Sequence, residues 1–270
     1  MTLDQRRVIV VGAGTTETGA DDGPLGNGRA IALALAARGA TVVCVDVNPA
    51  SAAHTAALIA AEGGTAHVVV VDVSSADECE RMMEESTALL GGLDGLVLNV
   101  GTGMGFGLQG TSADEWDATF AVNLRSHFLA ARAALRTMAR GSAIVFIGSI
   151  AAKRPGSGVP AYDASKAALP ALCRHVALEG APLGIRANVV EPGLIDTPLG
   201  RLAGELRAGR ASTPIPLGRQ GAAEEVASTV AFVLSDDASY ITGQVIAVDG
   251  GVSTLVGSPT QDFSGTEASV

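Results

Sequence analysis

Basic side chains are scarce in this chain of 270 residues. Lys and Arg number 18 against 28 Asp and Glu, the formal net charge is -10 at pH 7, and no run of basic residues occurs. Binding to the phosphate backbone of a nucleic acid depends on clustered Lys and Arg side chains. The sequence therefore predicts no nucleic-acid partner.

Long hydrophobic runs are also missing. Hydrophobic residues make up 47% of the chain, but they form many short runs of Val, Ile, Leu and Ala, none approaching the roughly 20 residues that span a bilayer. The opening MTLDQRRVIVVGAG passes from a short polar lead into an apolar strand, without the apolar segment and cleavage site of a secretory signal. We expect a cytoplasmic protein with no membrane partner.

Cysteine and metal-binding histidine patterns are scarce too. Cys44, Cys79 and Cys173 lie far apart and are odd in number, so they predict neither a disulfide framework nor a zinc site. The His residues include no pair spaced four apart with an intervening Glu. We therefore expect no metal cofactor.

Short β-rich runs alternate with Ala-rich segments of helical length. Nearly continuous apolar runs of this kind are typical of strands that helices bury on both faces. The pattern predicts an α/β fold, a doubly wound (Rossmann) parallel sheet of about seven strands with helices on both faces. The runs are RVIVV, TVVCV, AHVVVV, DGLVLN, SAIVFI, IRANVV and QVIAV.

The length of the chain suits one large domain, which we expect to cover residues 1–253. Residues 194–217 mix Gly, Pro, Thr and Arg between a strand and a later helix, which is typical of a mobile flap. The polar segment 254–270 is expected to be a frayed tail.

Two helices have clear boundary signals. One covers Asn27–Arg38 and ends in Arg-Gly. Ser112 and Glu115 form a capping box that opens a second helix, running through Asn123.

A glycine-rich loop joins the first strand to the first helix. Gly12 and Gly14 follow the strand, and Gly26, Asn27 and Gly28 lead into the helix. Glycines let a backbone turn tightly against a pyrophosphate, and a helix N-terminus offers free N–H groups to the anion. The order of strand, loop and helix predicts a dinucleotide site.

Asp46 ends the second strand and follows Gly28 by 18 positions, close to the about 20 that separate such a loop from the acidic residue binding the adenosine ribose. An Asp accepts hydrogen bonds from both ribose hydroxyls and repels a 2′-phosphate, and the following Val47 and Asn48 supply no cation. NAD is therefore favoured over NADP. The alternative is that Asp46 only caps the next helix.

Tyr162 and Lys166 are four residues apart in a segment of helical character, after the strand that ends at Ser149. Side chains at this spacing share one helix face, so the Lys cation can lie near the phenol and stabilise its phenolate. That lowers the pKa of a Tyr towards working pH, as a general acid/base requires. Taken alone, the same spacing is common on solvated helix faces.

The chain resembles the short-chain dehydrogenase/reductase family from Val8 to Gly251. Matching elements occur in the family's order. They are the glycine loop, Asp72-Val73, Leu98-Asn99-Val100-Gly101, Asn123, Ser149, Tyr162-Asp-Ala-Ser-Lys166, Glu191-Pro192-Gly193 and, after Ile241-Thr-Gly, Asp249-Gly250-Gly251.

The resemblance implies the roles of the catalytic residues. Tyr162 would exchange a proton with the substrate oxygen, and Ser149 would hydrogen-bond that oxygen. Lys166 would lower the pKa of Tyr162 and bind the nicotinamide ribose. Asn123 would hold a backbone bulge and a water that links Lys166 to solvent.

The resemblance also implies the cofactor residues and the assembly. Gly12, Gly26 and Gly28 would cradle the pyrophosphate, and Asn99 would support the central strand. A homotetramer is expected, with a homodimer as the alternative. The full set of NAD-binding positions is Gly12, Gly14, Gly26, Asn27, Gly28, Asp46, Val47, Asp72, Val73, Asn99, Gly101, Tyr162, Lys166, Pro192, Gly193, Ile195 and Thr197.

Two features depart from the family pattern. Val11 replaces the usual Thr, and about ten extra residues separate Gly12 from Gly26. We expect the stretch Thr15 to Pro24 to arch away from the pyrophosphate, because its acidic residues would repel that anion. Pro170 follows Lys166 by one helical turn, which predicts a kink or a locally loosened helix.

The substrate side is expected to be mostly apolar. Its positions are Met104, Ser149, Ile150, Pro155, Tyr162 and Leu194. Such a pocket suits a secondary alcohol or ketone on a hydrophobic skeleton, cyclic skeletons included. Arg154, Arg201, Arg207 or Arg210 could instead swing in to meet an anionic group.

The predicted function is NAD(H)-dependent interconversion of a secondary alcohol and a ketone. Extended relatives that act on nucleotide sugars carry a further C-terminal substrate domain, for which this chain leaves no room after its seventh strand. The alternative from another class is a non-catalytic NAD-binding sensor or scaffold, because fold alone does not fix function.

Overall fold

The structure is a computed structural model and describes residues 2–15, 23–154, 156–205 and 213–255. Within these ranges, seven strands form one parallel sheet, in agreement with the predicted α/β class. The strands of the chain are β1 (Arg7–Val11), β2 (Thr41–Asp46), β3 (Thr65–Val70), β4 (Gly95–Leu98), β5 (Ala143–Ile147), β6 (Arg186–Pro192), β7 (Ile195–Asp196), β8 (Gly221–Ala222) and β9 (Val245–Val248). The large sheet has the order β3-β2-β1-β4-β5-β6-β9.

Helices cover both faces of this sheet. They are α1 (Asn27–Ala36), α2 (Pro49–Ala61), α3 (Ala76–Leu90), α4 (Ala113–Phe120), α5 (Ser126–Thr137), α6 (Pro160–Gly180), α7 (Pro198–Glu205) and α8 (Ala223–Leu234). Apolar side chains of α3, α5 and α6 form one core cluster with the sheet, and those of α1, α2 and α8 form a second. Every residue of β5 is buried, which explains its unbroken apolar sequence.

The helix boundaries follow local signals. The helix predicted over Asn27–Arg38 ends slightly earlier, at Ala36. The predicted capping box is confirmed, since the Ser112 hydroxyl accepts from the N–H of Glu115 and the Glu115 carboxylate accepts from the N–H of Ser112. That segment does not stay α-helical through Asn123, because a π-helical turn occupies Ala121–Arg125.

The expected flap has regular structure at its start. After β6, β7 pairs with β8 in a small two-stranded sheet, and α7 follows. Residues 206–212 of the flap lie outside the described residues, as do residues 256–270 of the expected tail.

α6 includes Pro170 within its 21 residues. Among the described helices, none is both long and apolar enough to span a membrane.

The strand order reverses between β1 and β4. The chain leaves β1 towards β2 and β3 on one side, and β4 begins the other half of the sheet. At such a switch point the loops after the two strands diverge and leave a crevice at their carboxyl ends. The candidate site lies at this edge.

Candidate active site

The glycine loop meets the loop after β4 at the switch point. Gly12 has a φ of +80°, and a Cβ there would lie 2.8 Å from the backbone nitrogen of Val100. A Cβ at Gly28 would overlap the Gly12 carbonyl. Asn99 donates from Nδ2 to this carbonyl at 2.7 Å. Backbone therefore packs on backbone here, which leaves no room for side chains.

Replacing Gly28 by Ala tests this close approach. The added methyl group has to displace the Gly12 backbone, so we expect a Kd for the nicotinamide cofactor at least about tenfold higher, the cost of misplacing the loop. Gly63 to Ala is a suitable control, since it lies away from the loop with open space around it, although its φ of +79° makes it strained. Cofactor titration should therefore separate the variants, and equal Kd values would contradict the packing described.

The N-terminus of α1 is open to an anion. Its N-cap is Gly26, which has no side chain to accept hydrogen bonds from the first N–H groups of the helix. The buried hydroxyl oxygen Thr15 Oγ1, which can donate a hydrogen bond to an anion, also has no hydrogen-bond partner among the described residues. Buried polar atoms normally find partners, and free N–H groups at a helix start favour a phosphate. The residues present thus fit the pyrophosphate of a dinucleotide.

Asp46 connects the end of β2 to the glycine loop. One carboxylate oxygen accepts from the N–H of Gly14 at 2.8 Å, and the other from the N–H of Asn48 at 3.0 Å. The N-cap of α2 is Asn48, whose side chain accepts from Ala50 and Ser51. The alternative that Asp46 caps this helix is therefore wrong.

Two hydroxyl residues of α2 hold the start of the glycine loop. The Ser51 hydroxyl accepts from the N–H of Thr15 at 2.8 Å and donates to its carbonyl at 3.0 Å, while Thr55 Oγ1 donates to the carbonyl of Ala13 at 3.0 Å. The buried Arg29 donates to both hydroxyl groups. Sequence reasoning missed these residues, although hydroxyls one turn apart in an Ala-rich helix were a usable signal.

The positions expected to flank the adenosine lie at the same edge. Val47 is exposed and Val73 is buried. Asp72 is exposed, and its carboxylate accepts from the N–H of Ser74 at 2.9 Å. These residues follow β2 and β3, so the structure brings them to the carboxyl end of the sheet beside Asp46.

Asn123 lies in the π-helical turn and is fully buried. Its Oδ1 accepts from the N–H of Thr102, and its Nδ2 donates to the Thr102 carbonyl, both at 2.8 Å. Nδ2 also donates to Ser165 Oγ at 3.0 Å. Asn123 therefore ties the loop after β4 to α6. The family resemblance implied a backbone bulge at Asn123, and this π turn is such a bulge, whereas the local sequence alone does not distinguish it from an α-helical interior.

Lys166 is buried on α6, and its Nζ donates to the carbonyl of Ile147 at 2.9 Å. The same ammonium lies 5.7 Å from the centroid of the Tyr162 ring. Burial lowers the pKa of Lys166 to about 8. A Cβ at Gly101 would lie 3.2 Å from Nζ, so this glycine leaves space beside the cation. The structure thus brings the predicted Tyr–Lys pair together.

Ser149 follows β5, two residues beyond the carbonyl that Lys166 binds. It is the N-cap of a short 3-10 helix over Ile150–Ala152. Its Oγ accepts from the N–H of Ala151 at 3.2 Å. In this geometry the hydroxyl hydrogen is still available for donation.

The segment after β6 approaches from the other side. Gly193 donates to the Val248 carbonyl at 2.9 Å, and a Cβ there would lie 2.6 Å from Asp249 Cα. Ile195 and Thr197 are buried, and the Thr197 hydroxyl accepts from the N–H of Gly200 at 3.0 Å. A packed wall on this side of the site is therefore formed by Pro192, Gly193, Ile195 and Thr197.

The expected substrate positions are mainly apolar. Met104 is exposed, Ile150 and Leu194 are half-buried, and Pro155 lies outside the described residues. Gly103, beside Met104, adjoins Tyr162, since a Cβ there would lie 3.4 Å from the Tyr162 Cβ. The loop after β4 thus contacts the Tyr162 side chain.

Two of the four arginines that could meet an anionic substrate make contacts within the protein, and the other two lie outside the described residues. Arg201 pairs with Asp196 at 2.7 Å. Arg154 donates to the carbonyl of Val252. Arg207 and Arg210 lie outside the described residues.

Known proteins resemble this chain over most of its length. A family model described as enoyl-(acyl carrier protein) reductase matches residues 7–253. The 3-oxoacyl-(acyl-carrier-protein) reductase FabG of Salmonella typhimurium is 38% identical over 230 residues, 84% of this chain and 93% of that protein. Cyclopentanol dehydrogenase of a Comamonas species is 36% identical over 233 residues, 85% of this chain and 93% of that protein.

Solved structures show the same architecture. A short-chain dehydrogenase from Burkholderia cenocepacia in complex with NADP has a TM-score of 0.83 at 32% identity, covering 93% of this chain and 99% of that one. A short-chain type dehydrogenase/reductase from Mycobacterium ulcerans has a TM-score of 0.85 at 33% identity, covering 94% of this chain and 91% of that one.

Proposed function

The chain belongs to the short-chain dehydrogenase/reductase family of oxidoreductases, and from this premise we propose that it interconverts a secondary alcohol and a ketone with NAD(H). The observation that carries the proposal is the buried Lys166 ammonium 5.7 Å from the Tyr162 ring centroid. A cation beside a phenol favours its ionised form. Tyr162 is then able to act as a general acid/base.

Each of the four predicted catalytic residues has a separate role in the proposed reaction. In the oxidative direction Tyr162 takes the hydroxyl proton of the alcohol, while Ser149 hydrogen-bonds the same oxygen. The bound nicotinamide supplies the hydride acceptor in this direction and the hydride donor in the other. Lys166 holds positive charge near the phenol, and Asn123 fixes the loop and helix around it through Thr102 and Ser165.

NAD is the proposed cofactor because of the residues that follow β2. The Asp46 carboxylate is held by two backbone N–H groups, in a place where a ribose 2′-phosphate would meet a negative charge. The next two residues, Val47 and Asn48, carry no cation. Arg29, from α1, is buried and donates to Ser51 and Thr55. Some similar solved structures contain NADP or NADPH. The proposal of NAD for this chain therefore rests on the Asp46 carboxylate and not on those structures.

Asp46→Ala tests the cofactor assignment. We expect KM for NAD to rise about 10- to 100-fold, since a hydrogen bond to a charged group contributes about 1.5–3 kcal/mol, and discrimination against NADP to fall. Asp46→Asn is the matched variant, because it keeps the shape and removes the charge, so it should accept NADP better than the native protein. Steady-state kinetics with both cofactors give the answer, and an unchanged preference would reject the assignment.

An apolar substrate, a cyclic alcohol or an acyl ketone, is proposed from the loop after β4. Met104, Phe106 and Leu108 are exposed large apolar side chains there, and Leu199 and Leu202 expose further apolar surface on α7. The similarity to a cyclopentanol dehydrogenase supports a cyclic alcohol, and the similarity to a 3-oxoacyl reductase supports an acyl ketone.

The proposal is tested with a panel of cyclic alcohols, acyclic alcohols and 3-oxoacyl thioesters, each with NAD(H) and NADP(H). We expect turnover with NAD(H) on at least one class, lost in Tyr162→Phe. Cofactor binding without turnover on any class would instead favour the sensor or scaffold. We further propose that residues 1–253 form one catalytic domain and that the protein assembles as a homotetramer or homodimer. We also propose that it acts in the cytoplasm, where its buried free thiols would remain reduced.

A further inference from the structure

β6 carries a carboxylate that is enclosed by protein. The Glu191 side chain is 0% exposed, and the Lys153 ammonium lies 2.8 Å from its Oε2. No other group in the described ranges hydrogen-bonds to either carboxylate oxygen. Charged groups are seldom buried without a partner, so Lys153, itself about half exposed, is the compensating charge for Glu191.

Both partners adjoin the elements of the site. Lys153 directly follows the 3-10 helix whose N-cap is Ser149, and Glu191 directly precedes Pro192. Gly148, directly before Ser149, adjoins Glu191, since a Cβ there would lie 2.8 Å from Glu191 Cγ. The Glu191 side chain therefore passes beside the backbone that leads into Ser149, and the ion pair joins the Ser149 loop to the end of β6.

A second connection extends this wall to β9. Arg154 donates to the carbonyl of Val252. Asp249 accepts from the N–H groups of Gly251 and Ser253, both at 2.9 Å. Because Gly193 packs on Asp249, the Ser149 loop, the end of β6 and the turn after β9 form one continuous structure.

We propose that the Lys153–Glu191 ion pair is a positioning clamp for the reaction. It sets the Ser149 hydroxyl, which would hold the substrate oxygen, relative to the Pro192-Gly193 segment, beside which the nicotinamide would lie. The inference rests on the proposed function. Neither residue touches the reacting atoms, so the pair acts through the backbone of the two segments. Displacements of about 1 Å cost reactions up to about 100-fold in rate, which gives such a clamp a measurable effect.

The clamp predicts a specific kinetic pattern. Lys153→Met leaves a buried carboxylate unpaired, so the wall moves or the carboxyl group takes up a proton, and in either case the ion pair that joins the two segments is lost. We expect kcat to fall about tenfold or more, while the Kd for NAD and NADH, followed by fluorescence, changes by a clearly smaller factor, because the glycine loop and Asp46 are untouched and only the nicotinamide side is displaced. Lys153→Arg keeps the cation and should recover most of kcat.

The double variant Lys153→Met/Glu191→Gln sharpens the test. Glu191→Gln keeps the shape and removes the charge, so adding it to Lys153→Met should raise kcat above that of Lys153→Met alone, since no unpaired charge remains. Glu191→Gln alone should also lower kcat, and it serves as the second variant if Lys153→Met does not fold.

Arg7 and Asp94 supply a matched control at the opposite, amino-terminal edge of the sheet. They form an ion pair of 2.7 Å that is also partly buried. We expect Arg7→Met to lower thermal stability while kcat of the folded protein stays within about twofold. If the Lys153 and Glu191 variants lose stability and keep kcat in the same way, the clamp is refuted. If the native protein binds NAD(H) but transfers no hydride, the proposed function is wrong and the clamp falls with it.

Discussion

The Tyr162→Phe variant loses turnover, with kcat reduced by about 10²- to 10⁴-fold, the contribution expected of a general acid/base. The substitution removes one hydroxyl group and leaves a ring of the same shape on α6. Because the ring remains beside Lys166 and Gly103, the fold and the cofactor site should be preserved. The Kd for NAD(H) is therefore expected to stay within about threefold of the native value.

Tyr240 provides the control for this experiment. It is the other Tyr of the chain and is fully exposed, far from α6 in sequence. Tyr240→Phe should leave kcat and the cofactor Kd unchanged. A Tyr162→Phe protein that keeps near-native kcat would remove Tyr162 from the mechanism.

Lys166→Met gives the second large effect. The variant removes the cation near the phenol and the donor to the Ile147 carbonyl, while the Met fills much of the same buried space. We expect kcat to fall about 10²-fold or more, with a weaker affinity for the cofactor, whose nicotinamide ribose Lys166 is proposed to bind. Lys166→Arg would not restore activity, because a planar guanidinium does not replace a compact ammonium in this space.

The same variant has a pH-dependent effect on stability. Burial lowers the pKa of Lys166 from 10.5 to about 8. Below pH 8 both folded and unfolded states carry the proton, so the folded native protein bears the full cost of the buried cation. Between pH 8 and 10.5 the folded state has lost its proton and the unfolded state has not, so this cost disappears as the pH rises.

Urea unfolding of both proteins between pH 7 and 10.5 measures this difference. Relative to Lys166→Met, the native protein should gain free energy of unfolding with rising pH, by a total on the order of 3 kcal/mol from the size of the pKa shift. Parallel curves over this range would show that burial does not lower the pKa of Lys166.

The large sheet could be predicted from sequence because its strands are buried on both faces and read as unbroken apolar runs. β7 and β8 could not, since each has two residues and depends on the other for pairing. The π turn at Asn123 was implied by the family resemblance, as a backbone bulge, and not by the local sequence. Its hydrogen bonds to Thr102 and Ser165 come from distant segments, and the local sequence favours any helical turn equally.

The candidate site was predictable where its residues form local patterns. Gly28, Asp46 and the Tyr162–Lys166 spacing each have a signature within a strand–loop–helix unit. The Ser51 and Thr55 contacts to the glycine loop, and the Lys153–Glu191 pair, join segments tens of residues apart. Such pairs depend on strand order and loop path, which a single sequence does not specify.

The lengthened glycine loop is described by the structure at its two ends but not in between. Its two ends meet in the structure, since a Cβ at Gly26 would lie 2.5 Å from Thr15 Oγ1. The insertion can therefore leave and re-enter without separating Gly12 from Gly28. The proposed arch of the intervening stretch stays a prediction, because residues 16–22 lie outside the described ranges.

Transfer of deuterium to a ketone from NADH that carries deuterium at both C4 positions tests the central claim most directly. With a panel of cyclic ketones and 3-oxoacyl thioesters, mass spectrometry should find the label on the carbinol carbon of at least one product with the native protein. Tyr162→Phe should bind the labelled NADH and transfer none. Tight NADH binding by the native protein, with no label in any product, would contradict the account and identify a binding module instead.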